Sequence, residues 1–131
     1  MRQRMTLVLS LDAPRQARHF FDRYRDEIEA SLLDDLRIAS SELVTNAVAH
    51  SGRPQGDPIE LVTTVSAEMI RVQVTDQGDG PAPLQPRSLT PPSGLAFVGL
   101  LSDRWSGETI ESFRVWFEID TRTNGLIRRK N

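Results

Sequence analysis

Two polar residues, Glu42 and Asn46, lie four positions apart in a stretch with helical periodicity, a spacing that could serve phosphoryl-transfer chemistry. Residues four apart on a helix project from one face, with a rise of about 6 Å between them. The carboxamide oxygen of Asn46 is a hard neutral ligand that suits one octahedral position on Mg²⁺, which takes further ligands from phosphates and water. Glu42 could accept a proton from an attacking hydroxyl or water. Taken alone, such a pair is more often a solvated helix edge.

A second group begins with Asp76, which closes a predicted strand and opens the string Asp-Gln-Gly-Asp-Gly. A carboxylate there could accept a hydrogen bond from the exocyclic amine of adenine, the donor that separates adenine from guanine on that edge. Gly78 and Gly80 would let the backbone turn and approach a base closely. An isolated string of this kind is most often only a turn.

A third group, Ser93, Gly94 and Leu95, stands at the predicted start of a helix. Free N–H groups and the helix dipole bind phosphate at such a position, and the amides of Gly94 and Leu95 would do so without a lysine. Residues 76–93 contain five prolines and two glycines, which disfavours both helix and strand. A loop of that length inside a compact domain is typical of a lid or a binding loop.

The elements that must position these groups follow from periodicity. Leu7, Leu9 and Leu11 alternate with Thr6, Val8 and Ser10, which predicts a strand, and Asp12 then predicts the N-cap of a helix. The strongest helical pattern predicts a helix over 34–50, whose apolar stripe is Leu36, Ala39, Leu43 and Ala47. Alternation predicts an antiparallel pair over 59–66 and 69–75 and a last strand over 113–119, and a short apolar helix is predicted over 95–103. Together these elements predict one α/β two-layer sandwich, with residues 1–131 as a single domain.

Composition limits the classes of partner. The formal net charge is −2, so no global charge draws the chain to nucleic acid or to an anionic membrane. There is no cysteine, which excludes disulfides, thiolate metal sites and cysteine nucleophiles. The longest uncharged run, 88–102, is too short and too interrupted by proline to span a bilayer. We therefore expect a cytoplasmic protein with no membrane segment and no direct contact with nucleic acid.

The three groups, in this order, resemble the nucleotide-binding boxes of the GHKL, or histidine kinase-like, ATPase superfamily. Longer strings are similar to those of its short members, the anti-sigma factor serine/threonine kinases, over about residues 8–119: Ser-Glu-Leu-Val-Thr-Asn-Ala-Val-Ala-His at 41–50, Ser-Asp-Arg-Trp at 102–105, and Val-Trp-Phe-Glu-Ile at 115–119. The resemblance implies a Bergerat-type fold, in which a mixed, mainly antiparallel sheet is covered on one face by about three helices. It also implies an ATP lid over about 77–93.

The resemblance further implies a site for Mg-ATP. Asn46 would hold the metal, Glu42 would be the catalytic base, and the nucleotide would be bound by Asn46 together with Asp76, Gly78, Gly80, Ser93, Gly94 and Leu95. The implied partners are a sigma factor and an antagonist of the anti-anti-sigma type. Homodimers occur among the relatives, so the oligomeric state stays open. The chain departs from the family pattern at Ser93, where a first lid glycine is usual, and at Arg114, where a threonine is usual.

Several interpretations remain open at this point. A kinase that phosphorylates its antagonist is favoured by Glu42, whereas a non-catalytic ATP-binding regulator would need only the nucleotide site. A detached catalytic domain of a sensor histidine kinase is a third alternative, disfavoured because no phosphoacceptor helix is recognisable. Residues outside the three groups have simpler explanations. We expect His19 and Trp116 to pack in the core, and the first-helix arginines to form a solvated face or a partner surface: Arg15, Arg18, Arg23 and Arg25.

Overall fold

The computed structural model describes residues 1–77, 96–109 and 112–121, and within them five strands form one sheet. The strands are β1 Arg2–Val8, β2 Pro58–Val65, β3 Met69–Asp76, β4 Arg104–Thr109 and β5 Phe113–Asp120. Their order is β1-β2-β3-β5-β4, and each pairing between these strands is antiparallel. The predicted two-layer α/β sandwich is confirmed, and within the described ranges its sheet is antiparallel rather than mixed.

Within the same ranges, three α-helices accompany the sheet. They are α1 Ala13–Phe20, which continues into a 3₁₀ turn at Phe21–Tyr24, then α2 Ala30–His50 and α3 Ala96–Leu101. Helix α1 contacts β1 and α2, whereas α2 contacts β3 and α3. Within the described part of the chain, no helix is both long and apolar enough to cross a bilayer.

Helix α2 is the element that carries the predicted Glu42 and Asn46. Its apolar stripe is buried as expected, since Leu36, Leu43 and Ala47 are each exposed by no more than 1%. The helix begins four residues before the predicted start, because the carboxylate of Glu29 accepts hydrogen bonds of 3.1 Å from the amides of Ser31 and Leu32. An N-cap of this kind satisfies amides that a helix start would otherwise leave unpaired.

The two faces of the sheet differ sharply. On β3, Ile70, Val72 and Val74 are buried against the helices, as period-two alternation predicts. The opposite face is polar, and there the guanidinium of Arg71 lies 4.3 Å from the ring centre of Trp116. The expectation that Trp116 packs in the core is therefore wrong, because its neighbours on β5, Val115 and Phe117, occupy the buried side.

Two expectations for the start of the chain are met only in part. Strand β1 ends at Val8, because β2 begins opposite it at Pro58, so Leu9 and Leu11 fall outside the strand. Leu9 is still buried, but Leu11 is 87% exposed. Asp12 occupies the N-cap position of α1 without capping it.

The expectation that His19 packs in the core is also wrong. Its side chain is 64% exposed and lies 3.4 Å from a carboxylate oxygen of Asp22, rather than packing in the core. The interior side of α1 is taken by Ala13, Ala17 and Phe20, which are all buried. A residue next to Phe20 in sequence lies about 100° away around the helix axis, which turns His19 toward solvent.

Candidate functional site

The carboxamide of Asn46 is the most unusual polar group in the described structure. Asn46 is only 2% exposed, and neither its Nδ2 nor its Oδ1 has a hydrogen-bond partner within residues 1–77, 96–109 and 112–121. Leaving a buried donor or acceptor unsatisfied costs about 1–3 kcal/mol, and most buried polar groups in proteins are paired. The folded protein retains this carboxamide although it lowers stability, which indicates that Asn46 serves binding rather than packing.

Asp76 is the second buried polar residue of the predicted site. It is the last residue of β3 and is 1% exposed. Alternation along β3 places its side chain on the same face as Val72 and Val74, between the sheet and the helices. The carboxylate therefore lies in the interior layer where α2 contacts β3.

Chain connectivity brings the ends of α2 and β3 together. Asp76 pairs with Ile59, the second residue of β2. Only residues 51–57 separate the end of α2 at His50 from the start of β2 at Pro58. The last turn of α2, which carries Asn46, thus lies at the same end of the sheet as Asp76. Two of the three predicted groups share one end of the molecule, in the interior layer.

Glu42 lies one helical turn before Asn46 on α2. It is partly buried, whereas Thr45 between them is exposed. The four-residue spacing puts the carboxylate and the carboxamide on neighbouring positions of one helix face. The structure therefore keeps Glu42 close to the unpartnered group, with part of its side chain accessible to solvent.

The remaining predicted site residues lie outside the described residues: Gly78, Gly80, Ser93, Gly94 and Leu95. The same is true of nearly all of the predicted lid, 77–93, of which only Gln77 is described. Helix α3 begins at Ala96, directly after this segment, and contacts α2. Val98 packs α3 against the core, where it is fully buried. At the end of the helix, the amide of Ser102 donates a 2.9 Å hydrogen bond to the carbonyl of Val98.

Arg114, which stands where the family usually has a threonine, does not lie on the face of the sheet that holds the Asp76 carboxylate. It lies opposite Thr75 on the polar face of the sheet, and its guanidinium is 3.6 Å from a carboxylate oxygen of Glu108. The residue that pairs with Asp76 on β5 is Phe113, which is 4% exposed. Phe113 rather than Arg114 therefore faces the layer that holds Asp76.

Sequence reasoning did not single out Ser40, whose hydroxyl is also buried. Ser40 is 0% exposed, and its Oγ has no hydrogen-bond partner within the described ranges. It lies six residues before Asn46, about 120° away around the helix, so the two groups point in different directions. A serine inside an apolar stripe gives no signal in the sequence, because small polar residues are common in helices.

Asn46 also satisfies a chemical test for the implied ligand. An unpaired carboxamide offers an oxygen acceptor and two N–H donors, which fits a hydrated Mg²⁺ or a phosphate oxygen. Within the described ranges, no cluster of three or more His, Asp or Glu side chains could hold a metal ion by itself. A metal bound at Asn46 would take its other ligands from water and from the phosphates that accompany it.

A comparison with known families assigns the chain to a class. The family model described as Histidine kinase-like ATPase domain matches residues 7–109, a range that contains α2, β3 and all of β4. The match covers most of the chain, so the chain belongs to the histidine kinase-like ATPase family. A search of curated proteins finds no match. The expected GHKL membership is confirmed, whereas the anti-sigma factor type stays a prediction.

Proposed function

We propose that this protein is an ATP-dependent serine/threonine protein kinase that acts as an anti-sigma factor in a bacterial partner-switching pathway. The observation that carries the proposal is the buried, unpartnered carboxamide of Asn46, at the same end of the sheet as buried Asp76. Membership in the histidine kinase-like ATPase family supports ATP as the ligand of that end. The anti-sigma role rests on the sequence strings shared with short family members.

Each residue of the site has one task. Asn46 holds the metal through its carboxamide oxygen, and Asp76 accepts a hydrogen bond from the exocyclic amine of adenine. The amides of Gly94 and Leu95, which follow Ser93, bind phosphate oxygens, while Gly78 and Gly80 let the backbone approach the nucleotide closely. Mg²⁺ held by Asn46 would neutralise part of the negative charge that the phosphates carry.

Glu42 is the proposed catalytic base for the transfer. A hydroxyl oxygen of the acceptor protein forms a bond to the γ-phosphorus, and the bond from that phosphorus to the bridging oxygen breaks to release ADP. The hydroxyl proton passes to the carboxylate of Glu42, which lies one turn from the metal-binding Asn46. Partial burial leaves this carboxylate accessible to an incoming hydroxyl.

A phosphotransfer assay tests the proposal. The full chain is incubated with γ-labelled ATP, Mg²⁺ and candidate antagonist proteins, and the assay is repeated with Glu42→Gln. The matched control is Asp35→Asn, which alters another partly buried carboxylate on the same face of α2, about 10 Å away along the axis. We expect Glu42→Gln to reduce the transfer rate at least about a hundredfold with ATP binding retained. Asp35→Asn should transfer at the wild-type rate.

Two results would contradict the kinase proposal. Unchanged transfer by Glu42→Gln would remove the assignment of the base. ATP binding without transfer to any candidate would favour the non-catalytic regulator, in which nucleotide state only switches a protein interface.

A further inference from the structure

The outer edge of β1, which pairs with no strand of the described sheet, lies beside an open groove. Strand β1 is the end strand of the described sheet. The groove, of about 400 Å³, runs between β1 and α1, with Met5 and Phe20 as its apolar floor. Its rim is polar and consists of Arg15, Gln16, His19 and Arg23. Arg15 donates to the carboxylate of Asp12 at 2.7 Å and His19 lies 3.4 Å from that of Asp22, so Arg23 is the rim cation without a carboxylate partner in the described ranges. An unpaired strand edge next to an apolar groove is the arrangement that accepts an additional strand from a partner.

The register of β1 determines which backbone groups are free. The amino group of Met1 donates to the carbonyl of Val65, the last residue of β2, and the amide of Val65 donates to the carbonyl of Met1. In an antiparallel ladder, hydrogen-bonded residues alternate with residues whose backbone groups point the other way. Arg2, Arg4 and Thr6 therefore direct their N–H and C=O groups away from β2, toward the free edge.

The side chains around this edge set the chemistry of the partner. Arg2 and Arg4 project from the polar face of β1. Arg4 lies 3.7 Å from a carboxylate oxygen of Glu60 in an exposed contact, whereas Arg2 has no ion pair within the described ranges. Arg23, on the groove side, is held 3.9 Å above the ring centre of Phe20 and donates to the carbonyl of Phe20 and the amide oxygen of Gln3. Arg23 likewise has no carboxylate partner within those ranges. The edge is thus bordered by guanidinium groups on both faces.

We infer that the edge of β1 and the groove beside it bind an extended acidic segment of a partner protein, which adds to the sheet as a sixth strand. Residues of that segment opposite Arg2 and Arg4 are acidic, because directly opposed side chains share a face. The residues between them are apolar and enter the groove over Met5 and Phe20. The recognised pattern is therefore alternating acidic and apolar residues.

Charge favours such a partner over a second copy of this chain. Pairing two β1 edges would bring the guanidinium groups of Arg2 and Arg23, which have no carboxylate partner within the described ranges, toward those of the second copy. Juxtaposed like charges oppose association, whereas an acidic strand is attracted by the same groups. The inference is independent of the proposed kinase activity, since none of these residues belongs to the nucleotide site.

A binding assay with defined peptides tests the inference. The probe is a fluorescein-labelled Val-Glu-Val-Glu-Val-Glu-Val peptide, titrated with the full chain and followed by anisotropy. The matched peptide has lysine in place of each glutamate. We expect the acidic peptide to bind and the basic peptide not to bind, with an affinity that falls as salt rises.

Variants of the chain separate strand addition from charge attraction. Thr6→Pro removes an outward N–H while the ladder between β1 and β2 keeps its bonds, and Thr6→Val retains that N–H. We expect Thr6→Pro to weaken binding about five- to tenfold relative to Thr6→Val, the effect of one lost hydrogen bond. The double variant Arg2→Gln/Arg4→Gln leaves the backbone unchanged and should weaken both the binding of the acidic peptide and its salt dependence. If Thr6→Pro fails to fold, this variant still tests the inference.

Three outcomes would overturn the inference. The acidic and basic peptides could bind equally, or the acidic peptide could bind Thr6→Pro and the double arginine variant as tightly as the unaltered chain. Sedimentation could also show a dimer that the Thr6→Pro variant loses, which would assign the edge to a second copy.

Discussion

Ile59 of β2 lies directly opposite Asp76 of β3. Because β2 follows α2 after a short connection, this pairing places Asp76 at the same end of the sheet as Asn46, in the layer between α2 and β3. Both residues are almost completely buried. Burial of the Asn46 carboxamide without a partner in the described ranges opposes stability and is consistent with a binding site at that end.

Replacing Asn46 should separate stability from binding. Asn46→Leu removes an unpartnered buried carboxamide, so we expect the free energy of unfolding of the ligand-free protein to rise by about 1–3 kcal/mol. Ser40→Ala removes the other buried unpartnered group and should also stabilise the chain, by about 1 kcal/mol. Urea unfolding measures both effects. A loss of stability in Asn46→Leu would show that the carboxamide is satisfied in the folded protein.

Asp76 should determine the choice of base. Asp76→Asn replaces an acceptor-only carboxylate with a group that also donates, so we expect ATP affinity to fall roughly tenfold or more and discrimination against GTP to decrease. Calorimetric titration of the wild type and the variant with Mg-ATP and Mg-GTP measures this change. Equal affinity of the wild type for both nucleotides would refute the assignment of Asp76 to adenine.

A buried hydroxyl pair should stabilise the packing of the 3₁₀ turn on the sheet. The hydroxyl of Tyr24 hydrogen-bonds to Oγ1 of Thr63, and burial raises the pKa of this tyrosine. Tyr24→Phe leaves the Thr63 hydroxyl unpaired, with an expected loss of about 1–3 kcal/mol in unfolding free energy. Adding Thr63→Val should recover part of that loss. Strictly additive losses in thermal unfolding of the single and double variants would show that the two hydroxyls do not interact.

The polar face of the sheet should make stability depend on pH. Arg104 at 2.9 Å and Arg71 at 2.7 Å donate to Glu118 and hold the pKa of its carboxyl below the usual value, although partial burial opposes this. Because the folded pKa lies below the unfolded one, of about 4.3, these pairs stabilise the fold at neutral pH. That contribution is lost as the pH falls from about 4 through the folded pKa.

We therefore expect Glu118→Gln to unfold at a lower temperature than the wild type at pH 7, with the difference shrinking below about pH 4. Glu108→Gln is the control, since its exposed contact with Arg114 at 3.6 Å should contribute little. A melting-temperature difference that does not vary with pH would indicate that packing, rather than ionisation, explains the role of Glu118.

The sequence predicts most of the elements because their burial follows a simple period. The stripe on α2 and the alternation along β3 and β5 are confirmed, whereas on β2 Val62 is buried as well as its neighbours Leu61 and Thr63. No strand is predicted over Arg104–Thr109, because this end strand contains Gly107 and is defined by its ladder with β5 rather than by its own pattern. The alternation of Leu7, Leu9 and Leu11 predicts too late a strand, since only the partner strand determines where pairing ends.

The sequence predicts which residue types form the candidate site, but it does not predict how their burial affects stability. The spacing of Glu42 and Asn46 predicts a shared helix face, but it cannot show that the carboxamide is buried without a partner. The groove beside β1 depends on contacts between Met5 and α1 that are distant in sequence. His19 shows the same limitation, because its exposure depends on how the whole helix is rotated.

The most direct test of the nucleotide site is a calorimetric titration with Mg-ATP of the wild type, Asn46→Leu and Asp76→Ala, each first shown to be folded by circular dichroism. We predict one ATP bound per chain in the wild type, and binding weakened at least about a hundredfold in both variants. Ser40→Ala, which alters the other unpartnered group on α2, should bind as the wild type does. Wild-type affinity in folded Asn46→Leu and Asp76→Ala would contradict the account.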